Sequence, residues 1–210
     1  MKLIDMTVSD YLKDLASDSP APGGGSAAAL CGAQGAGLAA MVAGFTIGRK
    51  KFADFEANAL VVRDAELALT EKLKAQVDRD TEAFNLVAAA FKMPKVTDEE
   101  KAARSAAIQA GTLVSTQVPF ETMALALEAL RTAEKLLLGF NDGAASDLGV
   151  AAWNLRTCVR GAWLNVCINI GSLKDKEAAE SFRVRGLEIL REAETVARRI
   201  AEETENMICG

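Results

Sequence analysis

Along most of the chain, apolar residues return every three or four positions, the step that gathers them on one side of an α-helix. No stretch alternates apolar and polar residues in the manner of a half-buried strand. Boundary signals cut this pattern into helices. Thr7 can cap a short first helix, VSDYLKDLAS, which must end before Pro20 and Pro22. Ser26 is the expected cap of a second helix running toward Gly44 or Gly48, since Ser is strongly favoured there. A long third helix is predicted over residues 52–91, stopping at Met93-Pro94. Thr97 and Glu100 have the spacing of a capping box and open a fourth helix, with a kink expected near Pro119. Gly139 and Gly143 bracket a break, followed by a fifth helix over residues 146–171 and a sixth, charged along one side, from about 175 to 207. Without strand, repeat or linker, the expectation is one all-α domain over residues 1–210. The economical architecture is a multihelical up-and-down bundle of long helices.

The second helix stands out. PAPGGGSAAALCGAQGAGLAAMVAGFTIGRKK, residues 20–51, has three glycines in a row, and no charge separates Asp18 from Arg49. The stretch exceeds the length of a membrane span. Its content is mostly Ala and Gly with Gln34 and few large apolar residues, which favours a buried central helix instead. Each glycine inside a helix costs about 1 kcal/mol relative to alanine, and such positions are tolerated where another backbone or a ligand comes close.

Composition narrows the function. The chain is 50% hydrophobic and 25% charged, as expected of a folded globular protein, and its net charge of −5 provides no basic footprint for nucleic acid. An anionic ligand would have to be met by a local cluster of cations. There is no His, and Cys31, Cys158, Cys167 and Cys209 are far apart, so a zinc site is not expected. The opening MKLIDMTVSDYL lacks the basic region and apolar stretch of a signal peptide. A cytoplasmic protein with reduced thiols, free of membrane and nucleic-acid partners, is the expectation.

Two helices carry polar residues on apolar faces. The third has a stripe Leu69, Leu73, Val77, Asp80, Phe84, Val87, Phe91, so Asp80 takes a core position. Asp78 falls on another face and reads as solvated. A carboxylate among apolar neighbours is costly unless paired or used; a structural ion pair and a functional role both fit Asp80. On the fifth helix, Asp147, Ala151, Asn154, Cys158, Ala162, Asn165 and Asn169 share one face, which either packs on a neighbouring helix or lines a pocket. Asn165 and Asn169, one turn apart, could read a heterocycle edge with paired donors and acceptors. Gly23, Gly24, Gly25 and Ser26 open a helix whose N–H groups and dipole suit an anion or a polar ligand edge. The alternative is a turn that lets two helices pack tightly. Gly23-x-Gly25-x-x-Ala28 is a poor dinucleotide fingerprint, because no strand precedes it.

Taken together, PAPGGGSAAA with TIGRKKF, VDRDTEAFNLVAAAFKMPK, VPFE, SDLGVAA and NVCINIGSLKD resemble the cyclodeaminase domain of formiminotransferase-cyclodeaminase. That family includes stand-alone bacterial methenyltetrahydrofolate cyclohydrolases. The likeness covers nearly the whole chain, with one departure: Phe140 precedes Asn141 where the family commonly has glycine. It implies an all-helical homodimer acting on a one-carbon tetrahydrofolate, with no metal, nucleotide or redox cofactor. Within these 210 residues there is no formiminotransferase domain, which favours the cyclohydrolase, opening 5,10-methenyltetrahydrofolate to 10-formyltetrahydrofolate. The alternatives are a stand-alone formiminotetrahydrofolate cyclodeaminase, which releases ammonia, and a non-catalytic folate-binding helical module. Without His, proton transfer falls to a carboxylate, Lys, Cys or Tyr11. The catalytic candidates are Asp80 first, then Asp147 and Lys50. Gly23, Gly24, Gly25, Ser26, Ser146, Asn165 and Asn169 are candidates for holding the folate, with Arg49 and Lys51 placed at its glutamate tail. Arg49, Lys50 and Lys51 could equally be solvated charges at a helix end.

Overall fold

A computed structural model describes residues 2–210. Six helices account for most of them: α1 (Val8–Leu15), α2 (Gly24–Thr46), α3 (Glu56–Phe91), α4 (Asp98–Glu134), α5 (Ala145–Ile170) and α6 (Lys176–Cys209), with no strand among the described residues. The expected all-helical bundle is therefore present. Three side chains cap α1, α4 and α6, the first two where the spacing puts them. Thr7 accepts a hydrogen bond from the Asp10 N–H, Thr97 and Glu100 complete a capping box, and Asp175 accepts from the Ala178 N–H.

Other boundaries differ from expectation. Gly23, not Ser26, is the N-cap of α2. Ser26 lies inside the first turn because its hydroxyl has a better partner, the Val77 carbonyl of α3 at 2.8 Å. The third helix starts at Glu56, since Lys50–Phe55 wind as 3₁₀ turns with Phe52 off helical geometry. α4 runs on through Pro119. Proline has no N–H, so the Ser115 carbonyl one turn earlier loses its helical donor. Asn169 of α5 replaces it, donating from Nδ2 at 2.6 Å.

α2 lies between α3 and α5 and runs antiparallel to both. Ser26 meets Val77 and Gly32 meets Leu73 on one side; Gly32 meets Cys158 and Gly35 meets Leu155 on the other. α4 closes the layer from behind, packing on α3 and α5, and α6 covers α5 and α4. The separation between α2 and α5 is set by glycine. A Cβ at Gly32 would sit 2.6 Å from Cys158 Sγ, and one at Gly35 would sit 2.7 Å from Leu155 Cγ. Ala36, Ala39, Val42 and Ala43 of α2 are fully buried against Met123, Leu130, Leu148 and Leu155 in one core. α2 is long and apolar enough to cross a membrane, but 56% of its most apolar window is buried in the bundle. Its smoothness thus serves close helix packing on two sides. Phe140 also finds a role here, since it is buried in the core beside the Gly139 turn that clears Phe55.

Candidate active site

The N-terminal end of α2, the middle of α3 and the C-terminal end of α5 meet around a cleft of about 400 Å³. Gly23, Gly24 and Gly25 form one wall, Asp80 and Phe84 a second, and Asn165 and Asn169 a third. The antiparallel packing of α2 between α3 and α5 brings these together from positions far apart in the chain. Phe84 follows Asp80 by one turn. Although on the apolar stripe, it is 40% exposed because α3 passes from core to cleft at this point. Val87, the next residue of that stripe, also lines the cleft, while Phe91 is exposed.

Asp80 is held by the first turn of α2. Its Oδ2 accepts from the Ser26 N–H at 2.9 Å and lies 3.2 Å from the Ser26 hydroxyl. That hydroxyl is also 3.3 Å from Thr81 Oγ1. Gly25 makes this approach possible, since a Cβ there would overlap the Asp80 carboxylate. The helix terminus that could have taken an external anion therefore binds a carboxylate of its own chain. Burial pushes the Asp80 carboxyl above the ordinary carboxylate range, and the side-chain and backbone hydrogen bonds from Ser26 pull it part of the way back. The result is a carboxyl anchored by one oxygen, with no cation beside it among the residues that line the cleft.

The asparagines differ in what they can still do. Asn165 donates to the Gly161 carbonyl of its own helix at 2.9 Å and faces Gly24. Asn169 holds the Ser115 carbonyl left open by Pro119. Both line the cleft, so each has a structural bond and a face toward a ligand. Further up α5, Ala151, Cys158 and Ala162 pack in the core, so the Asn-bearing face packs along most of its length and lines a pocket at one end. Asp78 is not simply solvated, as its Oδ1 accepts from the Leu3 N–H at 2.6 Å, tying the N-terminal segment to α3. Tyr11 is buried behind the Ser26–Asp80 bond, in a small cluster with Ala29 and Val77, and its hydroxyl has no partner.

The remaining candidates lie at the opposite end of α2. Arg49, Lys50 and Lys51 follow its C-terminus, and Lys51 pairs with Asp142 at 3.0 Å on the surface. Ser146 is exposed and Asp147 half-buried in the first turn of α5. From Gly24 to Thr46 the helix rises roughly 33 Å, so within one chain none of these five can share a ligand with Asp80. The reason is the antiparallel packing, which puts the two halves of the predicted site at opposite ends of α2 and α5. Sequence reasoning also passed over Thr81 and Ser115, which line the cleft, and Glu66. Glu66 is fully buried on α3 without a hydrogen-bond partner for either oxygen. Continuing the α3 stripe one turn earlier, through Val62 and Glu66 to Leu69, would have found it. Among the described residues no group of three or more metal-ligating side chains converges.

Comparison with known proteins places these features in context. The family model described as formiminotransferase-cyclodeaminase matches residues 7–186. The chain is 39% identical to the methenyltetrahydrofolate cyclohydrolase of Methylorubrum extorquens over 96% of its own length and 97% of that protein. It is 37% identical to the formimidoyltransferase-cyclodeaminase of Sus scrofa, covering 97% of this chain but 38% of the pig protein. The crystal structure of formiminotetrahydrofolate cyclodeaminase from Thermotoga maritima superposes with a TM-score of 0.79 at 27% identity, over 97% of this chain and 96% of that one.

Proposed function

Because the chain belongs to the formiminotransferase-cyclodeaminase family, we propose that it is a methenyltetrahydrofolate cyclohydrolase. The observation that carries this reading is the Asp80 carboxylate, raised by burial and anchored by Ser26 at the wall of an open cleft. It occurs in a chain that matches a cyclohydrolase along 97% of that relative's length. The methenyl bridge of the substrate is a cationic amidinium, and a carboxylate beside it stabilises it electrostatically. Ionised Asp80 takes a proton from water as the water oxygen bonds to the bridge carbon. The tetrahedral carbon then collapses: its bond to N5 breaks, Asp80 returns the proton to N5, and the second water proton leaves as the formyl C=O forms on N10. One substrate cation and one water give 10-formyltetrahydrofolate and one proton. The bond made to water and the bond broken to N5 are each accompanied by a proton transfer, the work expected of a single tuned acid–base group. Phe84 offers a flat apolar surface for the pterin. The working unit in this reading is a homodimer, and no metal or redox cofactor is called for.

A second reading is favoured by the Thermotoga relative, a structure of similar extent described as a formiminotetrahydrofolate cyclodeaminase. In that reaction ammonia leaves the same carbon as the ring closes. The experiment is to follow methenyltetrahydrofolate absorbance with and without protein, in the absence of added metal or nucleotide, and to assay ammonia from formiminotetrahydrofolate in parallel. Faster absorbance loss supports the cyclohydrolase. Equal rates with ammonia release would make it a deaminase, and folate binding without turnover of either compound would make it a binding module.

A further inference from the structure

The amides of Asn165 and Asn169, on one wall of the cleft, are not free to turn. Asn165 Nδ2 donates to the Gly161 carbonyl, and Asn169 Nδ2 donates to the Ser115 carbonyl. A backbone carbonyl can only accept, so reversing either amide would set oxygen against oxygen. Each side chain therefore spends an N–H on the backbone and keeps the whole accepting capacity of its Oδ1. Neither Oδ1 accepts a hydrogen bond among the described residues, and neither is enclosed. The wall thus offers two unused acceptors to whatever enters.

Pro119 lies behind this arrangement. A residue with an N–H at position 119 would donate to the Ser115 carbonyl along α4 and compete with Asn169 for it. With proline there, the carbonyl is left to Asn169, which reaches it from α5 at 2.6 Å. Pro119 is buried and does not line the cleft, so any influence it has on a ligand passes through Asn169.

The spacing of the two acceptors says what fits between them. One turn apart on α5, the Cβ atoms of the asparagines stand about 5–6 Å apart. A primary amine on a flat ring carries two N–H groups about 120° apart, and hydrogen bonds of about 2.9 Å along both reach oxygens roughly 5 Å apart. A hydroxyl or a ring N–H has a single hydrogen and satisfies only one of the pair. Phe84 stands on a different wall, with its exposed ring available to the face of such a heterocycle.

We infer that the cleft selects its ligand by an exocyclic amino group held between Asn165 Oδ1 and Asn169 Oδ1, and that Pro119 is the positioning residue that keeps Asn169 turned for it. For the identity of the ligand this rests on the folate reading, in which the group is the 2-amino group of the pterin. The two asparagines then decide which way round the ring lies, leaving Asp80 for the reacting bridge.

The test compares the affinities of tetrahydrofolate and its 2-desamino-2-methyl analogue by calorimetry, so that turnover is not needed. Methyl keeps the size of the amine and removes both donors. Wild type should favour the amino compound at least thirtyfold or so, about what two lost hydrogen bonds to the site imply. Asn165→Ala should narrow that preference to within about tenfold, and it is the cleaner variant because its own bond stays inside one helix. Pro119→Ala should narrow the preference about threefold without lowering the melting temperature, an effect that a purely structural proline would not have. Asn169→Ala, made on top of Pro119→Ala so that the Ser115 carbonyl keeps a donor, should narrow it as far as Asn165→Ala does. Equal affinity of wild type for the two compounds, or an unchanged preference in Asn165→Ala, would overturn the amino-group site. An unchanged preference in Pro119→Ala would overturn the part given to the proline. Should wild type bind neither compound, the folate reading falls and takes this inference with it, whereas binding both alike leaves that reading standing and overturns this inference alone.

Discussion

Two carboxylates sit on the apolar side of α3, and they show what a buried acid needs in order to be useful. Asp80 lies half-buried where α3 leaves the core, and a backbone amide and a hydroxyl from Ser26 support its ionised form. Glu66, about four turns earlier, has no exposed surface and no hydrogen-bond partner. Burial chiefly, with some help from the Glu128 carboxylate and against the pull of Lys135, lifts its pKa from 4.5 to about 9. The same helix thus yields a cleft-facing carboxyl whose ionised form is hydrogen-bonded at one position and a group kept neutral at physiological pH at the other. The difference lies in the partners offered by the surrounding helices: α2 turns its N-terminus toward Asp80, and no donor comes within hydrogen-bond reach of Glu66.

The largest test of this contrast is Asp80→Asn. As the acid–base group it should carry about 10²–10⁴-fold in kcat, with the melting temperature little changed because Asn can still accept from the Ser26 N–H. In wild type, kcat/KM should rise with pH through the raised Asp80 pKa, and the variant should lose that limb. Retention of most of kcat by Asp80→Asn would move the base elsewhere and reduce Asp80 to a structural anchor.

Next in size is the effect of Glu66 on stability. Its folded pKa lies above its unfolded value, so between pH 4.5 and about 9 the folded chain keeps a proton that the unfolded chain releases. Stability is therefore greatest at low pH within this window and falls as pH rises, by up to about 1.4 kcal/mol per unit. For a chain of this size that is up to roughly 3–6 °C in Tm per pH unit. Calorimetry between pH 6 and 9 should show the decline in wild type and a flatter profile in Glu66→Gln. Parallel profiles would mean that Glu66 finds a partner on ionising, and the contrast with Asp80 would collapse.

The smallest effect sharpens the same point about partners. Asn169→Ala leaves the Ser115 carbonyl without a donor, a loss of about 1–3 kcal/mol. Pro119→Ala returns an N–H to α4, so the double variant should recover much of that loss in a thermal double-mutant cycle. Additive losses would show that the Asn169–Ser115 bond contributes little.

The reach of the sequence is uneven along these same residues. Asp80 was legible because helical spacing alone puts it among Leu73, Val77 and Phe84. Glu66 obeys the same spacing and was missed because the stripe was begun at Leu69. The caps at Thr7 and Thr97 were legible because capping is local. Ser26 was misplaced because its hydroxyl answers to a carbonyl 51 residues away, which no local rule reports. Asn169 could be marked as polar on a packed face, but its bond to Ser115 follows only once α4 and α5 are known to be neighbours. Likewise, motifs at both ends of α2 were read as one site, because a sequence motif carries no direction; the length of the helix separates them.

Glycine in α2 also limits how this protein can change. Exchanging glycine for alanine inside a helix is a common route to heat resistance, because it restricts the unfolded chain. α2 is the obvious place to try, yet at positions 25, 32 and 35 the added methyl group would strike Asp80, Cys158 and Leu155. The glycine-rich helix is thus closed to this improvement on its inner side and open to it only at Gly37 and Gly44, where an added methyl group meets nothing. Drift at positions 25, 32 and 35 requires a matching reduction on α3 or α5 at the same time, so single-step variation should spare the inner side of α2.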